Sequence, residues 1–177
     1  MAVLPPAVSR RVRVLTAHFN KMDAPHPSAS SGPPPAALRV ALIGNSLGGG
    51  YGHGLEKLFV GRCDGVVVAI ADPHPAARQK VAEEIGGPRQ YDDYRLMLRE
   101  QNPDVVIVAT RWTGEHFEMG LAALQAGAHV FMEKPFVHVL AEADELIAES
   151  NARSLQFVVK VRSSCRAVAV LCVCART

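Results

Sequence analysis

The residues with the clearest chemical use lie between positions 44 and 72. Gly44-Asn45-Ser46-Leu47-Gly48-Gly49-Gly50-Tyr51-Gly52-His53-Gly54 holds six glycines in eleven residues. It follows a short apolar run, Leu38 to Ile43, and precedes a helix-like segment, Gly54 to Phe59. Glycines serve such a turn because it needs positive φ and because a phosphate can then approach the backbone without meeting Cβ atoms. N–H groups at a helix start, with the helix dipole, would meet the anion. Asp72 closes the next apolar run, Val66 to Ala71. A carboxylate there can accept from both hydroxyls of an adenosine ribose and would repel a 2′-phosphate. The combination reads as a dinucleotide site, with Gly44, Asn45, Gly48, Gly50 and Asp72 as cofactor-binding residues and NAD favoured over NADP. The alternative is a flexible turn beside a solvated Asp.

The loop departs from the G-x-G-x-x-G spacing. Anchored on Gly44, the second glycine position is Ser46; anchored backward from Gly50, it is Leu47 and the first is Asn45. Either way the middle glycine is replaced, the loop is one residue longer than the pattern, and a side chain crowds the pyrophosphate.

These residues need a scaffold, and the sequence supplies a regular one from Leu38 onward. Apolar, β-branched runs at Leu38–Ile43, Val66–Ala71, Asp104–Thr110, Ala128–Met132 and Leu155–Val161 read as buried strands, with a shorter one near Arg89–Tyr91. Ala76–Ile85, Asp92–Gln101, Glu115–Gln125 and Leu140–Asn151 read as helices, with Gly86-Gly87 and Gly127 as stops. Strands alternating with helices predict an α/β fold, a doubly wound parallel sheet of the Rossmann type. There is no internal repeat.

At Gly127-Ala128-His129-Val130-Phe131-Met132-Glu133-Lys134-Pro135-Phe136 the chain resembles the Gly-x-His-Val-x-x-Glu-Lys-Pro segment of the Gfo/Idh/MocA oxidoreductases. Val106 to Thr110, then His116 and Ala122-Ala123-Leu124, fit the same family, as does Ala141 to Leu146. The resemblance covers roughly residues 38–160. It implies an N-terminal NAD(P)-binding Rossmann domain followed by a substrate domain, and hydride transfer to or from sugars, inositols and related polyols; other members reduce imines or biliverdin. Carried onto this chain, Lys134 is the catalytic lysine beside the nicotinamide. Glu133 contacts the nicotinamide ribose, and Thr110, Arg111 and Trp112 line that side of the pocket. A lysine there can stabilise an alkoxide or take its proton as hydride leaves the carbinol carbon. Read without the resemblance, Lys134 is an ordinary surface lysine before a proline turn. Arg111-Trp112 stands where many members have Pro-Asn. Trp112 either stacks on the nicotinamide or guards the pocket, or else packs its own loop. His116 is read as capping or packing its helix.

Composition bounds the rest. The chain has 177 residues, 49% hydrophobic and 20% charged, with a formal net charge of +2. That suits one ordinary domain with a substantial core. Residues 38–149 carry ten basic and sixteen acidic side chains, whereas 150–177 carry five basic and none acidic. The acidic body argues against nucleic acid as a partner. No apolar run reaches bilayer length and no signal-peptide pattern is present, so the expectation is a cytoplasmic protein with no membrane partner. Cys63, Cys165, Cys172 and Cys174 show no zinc-ligand spacing, so no metal is expected.

Residues 1–37, with Arg10, Arg11, Arg13, Lys21 and a Pro/Ser-rich stretch, read as a disordered or targeting extension; an organelle transit peptide and a start at Met22 are both compatible. Residues 38–161 form the expected dinucleotide-binding domain. Residues 162–177, with three of the four cysteines and no acid, read as an atypical Cys/Arg tail where the family continues into its substrate domain. The expectation is therefore a truncated or frame-altered product, not catalytically complete alone. Its alternatives are a non-enzymatic nucleotide-binding or interaction module, self-associating through an exposed apolar edge, and a non-functional truncation product.

Overall fold

The computed structural model describes residues 37–47, 49–52, 54–62, 64–163 and 168–172. The expected extension up to residue 36, and Gly48, Cys63, Cys165 and Cys174, lie outside the described residues. Strands are β1 (Leu38–Ile43), β2 (Gly65–Ala71), β3 (Arg89–Tyr91), β4 (Val105–Val108), β5 (His129–Met132), β6 (Phe157–Ser163) and β7 (Val168–Cys172). Helices are α1 (Pro75–Glu84), α2 (Tyr94–Gln101), α3 (His116–Gln125) and α4 (Leu140–Ala152). The sheet order is β3-β2-β1-β4-β5-β6-β7, with β1 to β6 parallel and β7 antiparallel to β6. This is the doubly wound Rossmann arrangement. The chain reverses its winding between β1 and β4, and their carboxyl ends frame the crevice where such folds bind ligands.

The central strands β1 and β4 are buried on both faces, which is why they read as continuous apolar runs rather than alternating ones. Successive residues point to opposite faces. Ala41 and Ile43 join Met97, Leu124, Leu146 and Phe157 in one core, whereas Val40 and Leu42 join Leu55, Ile70 and Ile85 in the other. The ring of Phe136, in the loop after β5, packs on Phe157 with centroids 5.3 Å apart.

Helix starts follow local chemistry. Asp93 caps α2 by accepting from Arg95 N, and Asn102 ends that helix in the left-handed conformation. Pro75 stands in the first turn of α1, where a missing N–H costs nothing.

Two elements differ from the sequence reading. The segment expected to be helical from Gly54 is a single 3₁₀ turn, Leu55–Lys57. Gly54 and Gly61 both hold positive φ, 76° and 73°, which leaves room between them for little more than one turn. Phosphate recognition by a helix dipole after the glycine loop therefore has no support here. At the other end, β6 runs two residues past Val161, and Val168–Cys172 pairs along it. Part of the expected tail is thus a strand of the sheet. Among the described residues no helix is long and apolar enough to cross a membrane.

Candidate functional site

The crevice at the carboxyl ends of the strands has two parts. The first lies over β1 and β2, a cleft of about 190 Å³ lined by Gly44, Asn45, Asp72, Asp92, Asp93 and Glu115 among others. Asp72 directly follows β2 and is fully buried. Its Oδ2 accepts from Ser46 N (3.1 Å), Ser46 Oγ (2.5 Å) and Tyr51 Oη (2.9 Å), and its Oδ1 accepts from His74 N (2.8 Å). Burial, and then the Asp72 carboxylate, push the Tyr51 phenol well above its ordinary value. The Tyr51 ring lies directly on Gly44, so that a Cβ there would overlap it. Asn45 Nδ2 donates to Glu115 Oε2 at 2.8 Å.

The glycine loop then crosses toward β4. Tyr51 forms an antiparallel bridge with Thr110, Gly52 N donates to Ala109 O (2.7 Å), and Arg111 N donates to Gly50 O (3.2 Å). Gly50 has φ +78°, which suits a residue without a Cβ. Gly52 is buried against Glu133, and a Cβ there would overlap the carboxylate. Gly48 lies outside the described residues.

The second part lies over β4 and β5. Thr110 is fully buried, and its Oγ1 accepts from Trp112 N at 3.2 Å. Glu133 is also fully buried; its N–H donates to Val108 O (2.9 Å), and its Oε1 accepts from Lys134 N (3.1 Å). Lys134 is exposed, next to a cis Lys134–Pro135 peptide. Arg111 is exposed, and Trp112 is 58% exposed, with its indole close against Gly114. The structure therefore gathers Thr110, Glu133 and Lys134 at neighbouring strand ends. It puts Gly44, Asn45 and Asp72 in the adjoining cleft.

A family model described as "Oxidoreductase family, NAD-binding Rossmann fold" (Gfo/Idh/MocA) matches residues 38–161. The chain belongs to this family. Members of the Gfo/Idh/MocA family similar to it include D-glucoside 3-dehydrogenase of Escherichia coli K12, 36% identical over 109 residues, 62% of this chain and 30% of that protein. Myo-inositol 2-dehydrogenase of Thermotoga maritima is 32% identical over 115 residues, 64% of this chain and 33% of the relative. Among solved structures, an NAD binding oxidoreductase from Klebsiella pneumoniae superposes with a TM-score of 0.57 at 27% identity, over 70% of this chain and 34% of the other. The chain spans about a third of the length of the curated relatives it matches. It carries the Gfo/Idh/MocA NAD-binding domain.

At this crevice the sequence assigns Tyr51 no role and reads His116 only as capping or packing its helix. Tyr51, between Gly50 and Gly52, carried a signal: it is the aromatic residue of a loop otherwise built for backbone approach. His116 stands among the residues that fit the family, but nothing in the sequence shows where its ring goes. It opens α3, but its ring leaves that helix and is fully buried. Nε2 lies 2.9 Å from Thr110 O, and Nδ1 lies 2.8 Å from Pro135 O and 3.1 Å from Phe136 O. The imidazole thus ties the Thr110 segment to the Lys134 turn, whose Pro135 lies 19 residues beyond His116 in the sequence.

The donor set fits a dinucleotide. Asp72 already receives two hydroxyl groups on one carboxylate, the arrangement a ribose diol would require.

Proposed function

We propose that this domain supplies the cofactor half of an active site that oxidises or reduces a sugar or polyol. The observation that carries the reading is the meeting of Thr110, Glu133 and Lys134 at the ends of β4 and β5, where the buried His116 bridges Thr110 to Pro135, the residue after Lys134. The similar dehydrogenases of glucosides and inositol support the substrate class.

Gly44, Asn45 and Gly50, with Gly48 of the same loop, would hold the dinucleotide across the β1–β4 crevice, and Asp72 its adenosine ribose. Thr110, Arg111, Trp112 and Glu133 would hold its nicotinamide end. Bound there, it supplies or accepts a hydride. Lys134 holds or receives the proton of the substrate hydroxyl, and its exposed position lets it reach a substrate above the strand ends. Asp72, Asp92 and Asp93 around one cleft disfavour an additional phosphate, which selects NAD over NADP. The groups that orient the substrate would come from outside this domain.

Calorimetric titration of the full chain with NADH and NADPH tests the cofactor assignment, and tighter NADPH binding contradicts the role of Asp72. Screening sugars and polyols with and without Lys134→Ala tests the chemistry. Turnover that survives the substitution unchanged removes Lys134 from the mechanism. NADH binding with no turnover on any substrate leaves a nucleotide-binding module.

A further inference from the structure

The adenosine side of the cleft is already occupied by the chain's own hydroxyl groups. Asp72 Oδ2 takes Ser46 Oγ at 2.5 Å and Tyr51 Oη at 2.9 Å, and it is fully buried beneath them. The Tyr51 ring covers Gly44, the position at the end of β1 where backbone must be bare for a phosphate to approach. Both features come from one stretch of chain, held in place through Gly50, Tyr51 and Gly52 on the end of β4. A ribose diol and a diphosphate would require these same two surfaces.

We propose that Tyr51, assisted by Ser46, is an affinity-determining gate of the nucleotide site: its phenol occupies Asp72 in place of a ribose hydroxyl, and it must leave before the cofactor binds. The inference rests on the NAD-binding reading of Asp72 given above. Its physical content is a competition. If the closed arrangement is favoured by some factor, the apparent affinity for nucleotide falls by nearly that factor. Hydrogen bonds to a charged acceptor are among the stronger ones in proteins, so losing one shifts such an equilibrium measurably. Burial first, and then the neighbouring Asp72 carboxylate, raise the phenol pKa, so Tyr51 keeps the proton that this hydrogen bond needs. His74 N remains on Oδ1 when the gate opens, while Oδ2, released by Tyr51, turns to the ligand.

The test is direct binding of NADH and of ADP-ribose to the full chain, by calorimetry, for wild type, Tyr51→Phe, Ser46→Ala and Asp72→Asn, each checked for folding by circular dichroism. Tyr51→Phe should lower the Kd for both ligands roughly tenfold. Ser46→Ala should lower it less, since Ser46 N still donates, and it stands in for the tyrosine variant should that one fail to fold. Asp72→Asn should weaken binding. Equal or weaker binding by both Tyr51→Phe and Ser46→Ala overturns the gate while leaving the NAD site in place. A gain for NADH that ADP-ribose does not share also overturns it, because the gate would then lie elsewhere. If neither the wild type nor any variant binds NADH, the NAD-binding reading of this site fails and the gate fails with it.

Discussion

The two ends of the crevice are built differently. Over β4 and β5, the groups belong to strand ends and are locked by a buried histidine between three carbonyls, above the Phe136–Phe157 pair. Over β1 and β2, they belong to a glycine-rich loop that reaches a buried carboxylate with its own hydroxyls. One end is set by packing. The other is set by hydrogen bonds that a ligand can replace. Under the proposed function, a domain that holds a reacting centre still while admitting a large anionic cofactor gains from keeping the two apart.

The contrast can be broken at its rigid end first. Phe157 is fully buried, and Phe157→Ala should cost about 3–5 kcal/mol in urea unfolding, the range for truncating a core phenylalanine. A loss under about 1 kcal/mol would show that the core beneath the Lys134 turn collapses easily, and the rigid end would not be rigid. His116→Ala should cost somewhat less, about 2–3 kcal/mol, because it leaves the buried Thr110 carbonyl and the part-buried Pro135 carbonyl without their partner. His116→Gln, which keeps one donor, should recover part of that loss.

Substitutions at the loop end should act on ligand binding instead. Asp72→Asn removes the charge that receives Ser46 and Tyr51, and it should weaken NADH binding roughly tenfold while altering NADPH binding less. A stability loss as large as that of Phe157→Ala would erase the distinction between the two ends.

The smallest effect concerns pH. Burial pushes the Tyr94 phenol up to about 12 from an ordinary value of 10.0, and Tyr51 shifts in the same direction. The folded chain therefore keeps these protons at pH values where the unfolded chain has lost them. Stability should be undiminished below pH 10 and decline as pH rises from 10 toward about 12. Thermal melts across that range should show a shallower decline for Tyr94→Phe; an unchanged slope would assign the loss to other groups.

Much of this was legible beforehand because strands buried on both faces write themselves as apolar runs. Val105 to Val108 and Val66 to Ala71 need no partner to be recognised, and the fold follows from their alternation with helices. Asp72 and the Glu133-Lys134-Pro135 segment could be placed at strand ends for the same reason. The first helix was misread because a glycine pattern states that the backbone is free, not which conformation it takes; Gly54 and Gly61 then confined the segment to one 3₁₀ turn.

What the amino-acid order determined by itself was the sheet, its winding and the strand ends to which the reactive side chains are attached. These depend on hydrophobic periodicity and local propensity, which are properties of short stretches of chain. Tertiary structure alone decided that Tyr51 and Ser46 share the Asp72 carboxylate, and that His116 joins Thr110 to Pro135. Most of those contacts link residues about twenty or more positions apart, through hydrogen bonds partly or fully withdrawn from solvent. Such partners are chosen by which polar groups the closed core leaves facing one another.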